Sequence, residues 1–320
     1  MICAVRCKKL STVAMLTPAM STSLSQLLER EPIELDRLRY VGVAVLTVAV
    51  LLPFVGKAFH IDDPIFLWTA EQIAHAPLDF SGFDVNWYGV LEPMHGINKN
   101  PPLVSYYLAV MGSLFGWSET ALHLSMFGPA LGFAFGVSRL AGMLKASPLV
   151  AGVIAVCTPA FLVSATSLMS DVGMLALWCW ALVFFLRGFE SERLLDWIVA
   201  GVLVGLCIMT KYFGLALLPL MALYGLARRP GVLGWWASIA VGLAIAVAFD
   251  VYTHALYGLH PLLDVMGYAT TREGLYSVPF EMRAAVGALF LGGCTVGTLL
   301  FAPLLWKSRG LLGLGFAASL

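Results

Sequence analysis

The residues with the clearest chemical potential are two adjacent aspartates, Asp62 and Asp63, a few positions after a long apolar run. A carboxylate held at a membrane surface can act as a general base and take the proton from an attacking hydroxyl group. A simpler role is also open, because Asp62 followed by Pro64 is typical of the start of a helix. We therefore treat Asp62 as the candidate base, and Asp63 as a further candidate catalytic carboxylate that either supports it or caps the helix.

Two more charged residues interrupt the apolar part of the chain, Asp171 in "LMSDVGML" and Lys211 in "MTKYFG". Asp171 precedes a strongly apolar run, where it is either a helix cap or a third catalytic carboxylate. A charge inside a membrane helix costs about 2.5–3.5 kcal/mol on insertion scales, so a partner is expected if Asp171 is buried. Lys211 lies between two apolar runs and is predicted to bind phosphate.

Two other basic residues, Lys99 and Arg272, are candidates for the same phosphate. A cation there would neutralise the charge that develops on a phosphate leaving group; the alternative for Lys99 is a lysine that only reaches towards water. A metal site of histidine and aspartate stays open, with unknown ligands. The other candidates are polar or aromatic residues of the same loops: His95, Asn100, Tyr106, His254 and His260.

The elements that carry these residues are predicted to be membrane helices. The chain is 60% hydrophobic and 12% charged, whereas soluble domains are about 45–50% apolar and about 25% charged. Apolar runs of about 18 residues or more recur along its length. We predict an all-α, polytopic membrane protein of about 8–9 transmembrane helices, with membrane lipids as partners. The net charge of zero gives no indication of a nucleic-acid partner.

The segment 101–117 decides the topology of the chain. It follows a double proline and is short for a membrane span, so we predict a helix lying along the interface. The short loops on one side then hold most of the lysines and arginines, as the positive-inside rule requires, and both chain ends are cytosolic. The predicted spans are 40–58, 120–143, 148–168, 172–187, 195–210, 212–227, 232–252 and 282–306.

This topology places the candidate residues on one side of the membrane. The loop 59–119, the turns at Asp171 and Lys211, and the loop 253–281 all face outwards. Only a few basic residues are left there: Lys57, Lys99, Lys211, Arg272 and Arg283. We therefore predict that any chemistry takes place on the outer or periplasmic face of a bacterial inner membrane or its equivalent.

The domain organisation follows from the same pattern. Residues 1–39 are polar and mixed in charge, and are predicted to be a disordered cytosolic tail. Residues 40–310 form the transmembrane domain, with the outer loop 59–119 after its first span. The apolar end, 311–320, has the composition of the start of a further span.

The order of these motifs resembles glycosyltransferase family 39, the group of the protein O-mannosyltransferases and the aminoarabinose transferases. Asp62 of "IDDP" matches the catalytic Asp of the family's Asp-Glu pair, and Asp63 replaces the Glu. Asp171 matches the second acidic position, and Lys211 matches the Thr-Lys motif. The segment "NKNPPL" departs from the family's Lys-Pro-Pro, because Asn100 holds the place of the lysine and Lys99 comes one residue earlier.

The resemblance implies a type C glycosyltransferase fold with juxtamembrane helices after the first span. It also implies a polyprenyl-phosphate sugar donor and a lipid, glycan or protein acceptor. Direct displacement by an acceptor hydroxyl would invert the anomeric carbon. No cofactor is expected to be required, and a divalent metal stays open. The alternatives are a transporter or flippase for a lipid-linked sugar, and a non-catalytic membrane subunit with the same fold.

Overall fold

The computed structural model describes residues 33–60, 62–270 and 279–305 of the 320-residue chain. The predicted tail 1–39 and the apolar end 311–320 therefore lie largely or wholly outside the described residues. The first helix, α1 (Ile33–Leu51), continues into a short 3-10 turn, Leu52–Phe54. It begins in an N-terminal unit, Met1–Val41, and ends in a second unit, Gly42–Leu320, which contains all the other elements.

The predicted outer loop is a compact group of short elements. Its helix α2 starts at the aspartate pair, and a small antiparallel ribbon follows in which Val85 lies opposite Glu92. Its last long helix, α4, has 13 residues and measures about 20 Å, too short for a hydrocarbon core of about 30 Å. That length agrees with a helix lying along the interface. The elements are α2 (Asp63–His75), β1 (Asp84–Asn86), β2 (Leu91–Pro93), α3 (Met94–Ile97) and α4 (Leu103–Phe115). Helix α5 (Glu119–Ser125) follows at the end of the loop and begins the apolar segment Glu119–Met143.

The remainder of the described chain is helical. A 3-10 segment, Tyr212–Ala216, connects the two helices on either side of Lys211. The helices are α6 (Phe127–Met143), α7 (Pro148–Cys157), α8 (Pro159–Ala165), α9 (Ser170–Ser191), α10 (Leu194–Thr210), α11 (Leu217–Arg228), α12 (Gly234–Tyr257), α13 (Pro261–Thr270) and α14 (Phe280–Leu305).

Several of the predicted spans are long and apolar enough to cross a membrane. The described residues contain 4 such segments, or up to 5 if α7 and α8 count as one span bent by 64°. The bend falls at Thr158–Pro159, where the proline cannot continue the hydrogen bonding of the preceding helix. Helices α10 and α11 are shorter, and α14 coincides with the predicted span 282–306. The chain is an integral membrane protein, and the exact number of spans stays a prediction. The 4 segments are Arg37–Phe54, Glu119–Met143, Ser170–Ser191 and Gly234–Tyr257.

Helix α9 lies at the centre of the packing. On one side, Phe185 joins a buried cluster with α10, α11 and α12 that includes Trp235. On another side, Val172 and Cys179 join a second cluster with α6, α7 and α8. A third cluster lies beneath α2 and α4 and includes Leu168, just before α9 begins. The N-terminal end of α9 is thus fixed against the outer elements.

Helices α10 and α12 approach closely because glycines line their contact. A Cβ atom added at Gly201 would lie 2.7 Å from the backbone oxygen of Ser238, and one at Gly205 would lie 2.5 Å from a methyl group of Ile245. Small residues four positions apart allow membrane helices to pack at short distance through van der Waals contact. This contact holds α10 in place, and with it Lys211 at its C-terminal end.

We expect the substitution Gly201→Leu to lower the thermal stability of the detergent-solubilised protein. Overpacking of this kind costs about 1–3 kcal/mol, because a backbone oxygen cannot move aside as a side chain can. The matched control is Gly287→Leu on α14, where an added Cβ atom meets nothing within 4 Å. Equal melting temperatures for the two variants would contradict this account of the contact.

Candidate active site

The buried residue of the aspartate pair, Asp63, connects two distant segments of the chain. Its side chain is inaccessible to solvent. Oδ2 accepts a hydrogen bond of 2.6 Å from the backbone N–H of His60, and Oδ1 accepts one of 2.7 Å from the backbone N–H of Leu168. These bonds hold the start of α2 against the loop that leads into α9. Since both oxygens are buried and occupied, the position of Asp63 favours the supporting role over direct catalysis.

The other residue of the pair, Asp62, is partly exposed and chemically available. It occupies the N-cap position of α2, but its side chain makes no capping hydrogen bond. The carboxylate has no hydrogen-bond or ion-pair partner among the residues that the structure describes. The helix-cap alternative is therefore not realised, and this carboxylate remains free to accept a proton.

Asp171 and Lys211 form an ion pair. The distance from Lys211 Nζ to Asp171 Oδ1 is 2.6 Å, and the two side chains are 34% and 27% exposed. Asp171 lies in the first turn of α9 and makes no capping hydrogen bond. Lys211 directly follows the last residue of α10. The partner expected for a carboxylate in this position is thus Lys211, and the pair remains within reach of water or a ligand.

A residue that the sequence did not single out, Lys57, also contacts this region. Its Nζ donates a hydrogen bond of 3.1 Å to the backbone oxygen of Thr166, in the loop between α8 and α9. The only signal in the sequence was its place among the few basic residues predicted on the outer side. Together with the hydrogen bond that the backbone N–H of Leu168 donates to Asp63, this contact fixes the loop before α9 at two points.

These contacts bring three separate segments to one end of the helices: the loop before α2, the loop before α9 and the end of α10. The opposite end of α9 has its own ion pairs, Arg187 with Asp196 at 3.4 Å and Arg229 with Glu192 at 2.5 Å. A helix of 22 residues separates the two ends by about 33 Å. The candidate carboxylates and Lys211 thus gather at one end, as predicted, while the membrane side that this end faces stays a prediction.

An apolar groove of ≈ 560 Å³ lies beside the ion pair. It runs between α4, the start of α6 and α9. Gly173, two residues after Asp171, and Thr210, which precedes Lys211, both line it. A charged pair is thus placed next to an apolar surface, an arrangement that suits a ligand with an anionic head and a hydrocarbon tail. The groove is otherwise lined by Leu103, Val104, Tyr106, Tyr107, Val110, Met126, Gly128, Pro129, Gly132, Ala176 and Leu177.

The other phosphate candidates are less clearly placed. Lys99 is exposed and has no hydrogen-bond or ion-pair partner among the described residues. Asn100 makes a local contact, since its backbone N–H donates a hydrogen bond of 3.0 Å to Oδ1 of Asn98. Arg272 lies outside the described residues, so its phosphate role stays a prediction.

Tyr106 and His95 have structural contacts. The hydroxyl group of Tyr106 donates a hydrogen bond of 2.5 Å to the backbone oxygen of Pro77 and thereby ties α4 to the end of α2. Burial, followed by the nearby Tyr252, raises the pKa of Tyr106 above its ordinary value, so this phenol remains a donor. His95 stacks on the ring of Tyr257 with 4.9 Å between centroids.

The two remaining candidate histidines form a cluster with Asp250. His254 and His260 stack with 4.0 Å between ring centroids, and Nδ1 of His260 lies 2.8 Å from Oδ2 of Asp250. The second carboxylate oxygen, Oδ1 of Asp250, accepts a hydrogen bond from the backbone N–H of Leu262. Across the described part of the chain, no group of three or more His, Cys, Asp or Glu residues is arranged to hold a metal ion. The open hypothesis of a metal site thus gains no support from these residues.

Comparison with known proteins identifies the class of this fold. The structure of ArnT from Cupriavidus metallidurans bound to undecaprenyl phosphate is similar, with a TM-score of 0.52 and 18% sequence identity over 87% of this chain and 54% of that one. The apo structure of the same ArnT gives a TM-score of 0.49 at 17% identity, over 87% and 53% of the two chains. An Archaeoglobus fulgidus oligosaccharyltransferase, tethered to an acceptor peptide, gives 0.49 at 15%, over 82% and 38%. The fold is that of a type C glycosyltransferase.

A family model also matches part of the sequence. Residues 99–257 match the dolichyl-phosphate-mannose-protein mannosyltransferase family, which confirms the resemblance inferred from the motifs. The matched range includes Asp171 and Lys211 and begins at Lys99. Comparison of the sequence with curated proteins gives no match. The chain spans about half the length of the ArnT chain that it resembles.

Proposed function

We propose that this protein transfers a sugar from a polyprenyl-phosphate donor to an acceptor hydroxyl group at the outer face of the membrane. The single observation that carries the proposal is the arrangement of three features at one end of the helices. These are the unpartnered carboxylate of Asp62, the ion pair of Asp171 with Lys211, and the apolar groove beside that pair. The family match and the fold support the same class of reaction.

The groove and the ion pair account for binding of the donor. The isoprenoid tail lies against the apolar side chains of α4 and α9, where burial of hydrocarbon is favourable. The phosphate lies near the ammonium group of Lys211, which carries three N–H donors and uses one of them on Asp171. The carboxylate of Asp171 thus orients Lys211 while leaving donors for a ligand.

In the proposed reaction the acceptor hydroxyl group approaches Asp62 from the water side. Asp62 takes the proton as the hydroxyl oxygen attacks the anomeric carbon. The bond between that carbon and the phosphate oxygen breaks, and its electron pair leaves with the polyprenyl phosphate. Lys211 stabilises the negative charge on this leaving group. One displacement inverts the configuration of the anomeric carbon.

The test is a transfer assay on membranes that contain the full chain. Defined radiolabelled polyprenyl-phosphate sugars are supplied with lipid, glycan and protein acceptors, and the anomeric configuration of each product is determined. We expect transfer from at least one donor, with inversion. Movement of an intact lipid-linked sugar across the bilayer, without any transfer, would overturn the proposal in favour of a flippase.

The ion pair makes a second prediction. We expect Lys211→Gln to raise the KM for the donor by about 10- to 100-fold, because a hydrogen bond between charged groups contributes about 1.5–3 kcal/mol. Asp171→Asn is expected to have a smaller effect, since Lys211 keeps its charge. The double variant should lose less binding free energy for the donor than the two single variants lose in sum. Each single variant leaves one member of the pair without its partner, whereas the double variant leaves neither.

Lys99→Gln is the matched control for the lysine. Neither Lys99, which is exposed, nor its two chain neighbours line the apolar groove, so Lys99 should contribute little to donor binding. A donor KM that rises more in Lys99→Gln than in Lys211→Gln would move the phosphate site to the segment at 99–100.

A further inference from the structure

An open cleft lies on the far side of α2 from the candidate active site. It has a volume of ≈ 890 Å³ and lies between α2, the ribbon strand β1 and the end of α4. Glu71, which lines it, comes nine positions after Asp62. On an α-helix this is about two and a half turns, so the two carboxylates point to opposite faces. The cleft is therefore separate from the site at which the sugar transfer is proposed.

Two indole rings are fixed in the walls of this cleft. Trp68 packs edge-to-face against Trp87, with 6.1 Å between ring centroids. Trp117 lies directly on the backbone of α4 at Gly112, where an added Cβ atom would come within 2.6 Å of the ring. The two platforms are thus held in place before any ligand arrives, which limits the entropy lost on binding.

Several polar groups of the cleft are free for a ligand. Glu71 and Asp84 are exposed, and neither has a hydrogen-bond or ion-pair partner among the described residues. Asn86 and Ser113 add an amide and a hydroxyl group, each of which can both donate and accept. This combination matches a ligand that is rich in hydroxyl groups.

The charge of the cleft excludes an anionic ligand. Its lining contains two carboxylates, a single histidine, His75, and neither lysine nor arginine. A phosphate or sulfate group would meet like charges here, which is unfavourable at short distance. The polyprenyl-phosphate head is therefore not a ligand of this cleft, whereas an uncharged or amino-bearing molecule is compatible with it.

We propose that this cleft, defined by Trp68, Glu71, Asp84, Asn86, Ser113 and Trp117, is a binding site for a neutral or amino-bearing saccharide. The apolar C–H faces of the sugar rings pack on the two indoles, and the carboxylates accept hydrogen bonds from hydroxyl or ammonium groups. A peptide is the less favoured ligand, because the cleft offers several groups for hydroxyls but no deep apolar pocket for side chains. This site goes beyond the proposed transfer reaction and does not depend on it.

The test is equilibrium binding to the full chain in detergent. The probes are radiolabelled chitotetraose, its de-N-acetylated and cationic form, a sulfated tetrasaccharide and a serine-rich peptide. We expect saturable binding of the first two only, weakened about 10-fold or more by Trp68→Ala and Asp84→Asn, as expected for the loss of a packed aromatic or a charged hydrogen bond. Glu71→Gln should weaken the cationic probe more than the neutral one.

Two controls separate this proposal from misfolding and from the transfer reaction. Glu190→Gln, at an exposed position near the other end of α9, should bind the saccharides as the wild type does. Because Asp84 is exposed on a ribbon strand, Asp84→Asn is a test that does not disturb buried packing. Asp62→Asn should bind saccharide normally even though its sugar transfer is expected to fall. Saccharide binding that survives both Trp68→Ala and Asp84→Asn, preferential binding of the peptide or of the sulfated probe, or no saturable binding at all would overturn the proposal.

Discussion

Asp62→Asn is expected to reduce sugar transfer by about 10²–10⁴-fold, the range that a general base contributes. The asparagine side chain has nearly the same shape, but it cannot take the proton from the acceptor hydroxyl group. Because the carboxylate makes no capping bond and has no partner among the described residues, the substitution should leave the fold intact. The rate of transfer from a polyprenyl-phosphate sugar, measured at saturating donor, reports the effect.

Two controls make this result specific to the proton transfer. The amount of Asp62→Asn protein in the membrane and its melting temperature in detergent should match the wild type. The KM for the donor should also change little, because Asp62 is assigned to the acceptor and Lys211 to the phosphate. Near-normal turnover by Asp62→Asn would remove Asp62 from the role of base and undermine the proposed mechanism.

Much of the architecture could be predicted from the sequence because membrane helices carry a strong compositional signal. The long apolar runs and the double proline predicted the spans and the short α4. The positive-inside rule assigned the turns at Asp171 and Lys211 and the loop of Asp62 to the same side of the membrane. The structure brings these segments together at one end of the helices. The break of 148–168 into α7 and α8 was not predicted, because the run was assigned from its continuous apolar composition, although Pro159 marks the break in the sequence.

The roles within the site were harder to predict, because they depend on contacts between segments that are distant in sequence. Asp62 and Asp63 are adjacent and of the same type, yet one is available and the other is buried. The difference arises from the backbone N–H of Leu168, 105 positions later. The role of Lys57 was missed for the same reason. Its partner is a backbone oxygen in the loop before α9, and every residue has such an oxygen, so the sequence does not indicate the contact.

The second large effect is expected at the buried residue of the pair. In Asp63→Asn, the single amide oxygen can accept only one of the two backbone N–H groups, and the NH₂ group faces the other donor. A buried donor left without a partner costs about 1–3 kcal/mol. We therefore expect a lower melting temperature, in contrast to Asp62→Asn. Transfer should also fall, because the loops that carry Asp62 and Asp171 lose their connection.

Hydrogen exchange separates this positioning role from a catalytic one. In Asp63→Asn the amide of Leu168, or the peptide that contains it, should exchange faster than in the wild type. The same amide should stay protected in Asp62→Asn, whose side chain is not bonded to it. If Asp63→Asn lost transfer while keeping wild-type stability and wild-type protection of Leu168, then Asp63 would act on the substrate directly. The adjacent aspartates would then share the chemistry, and would no longer divide into a base and the residue that positions it.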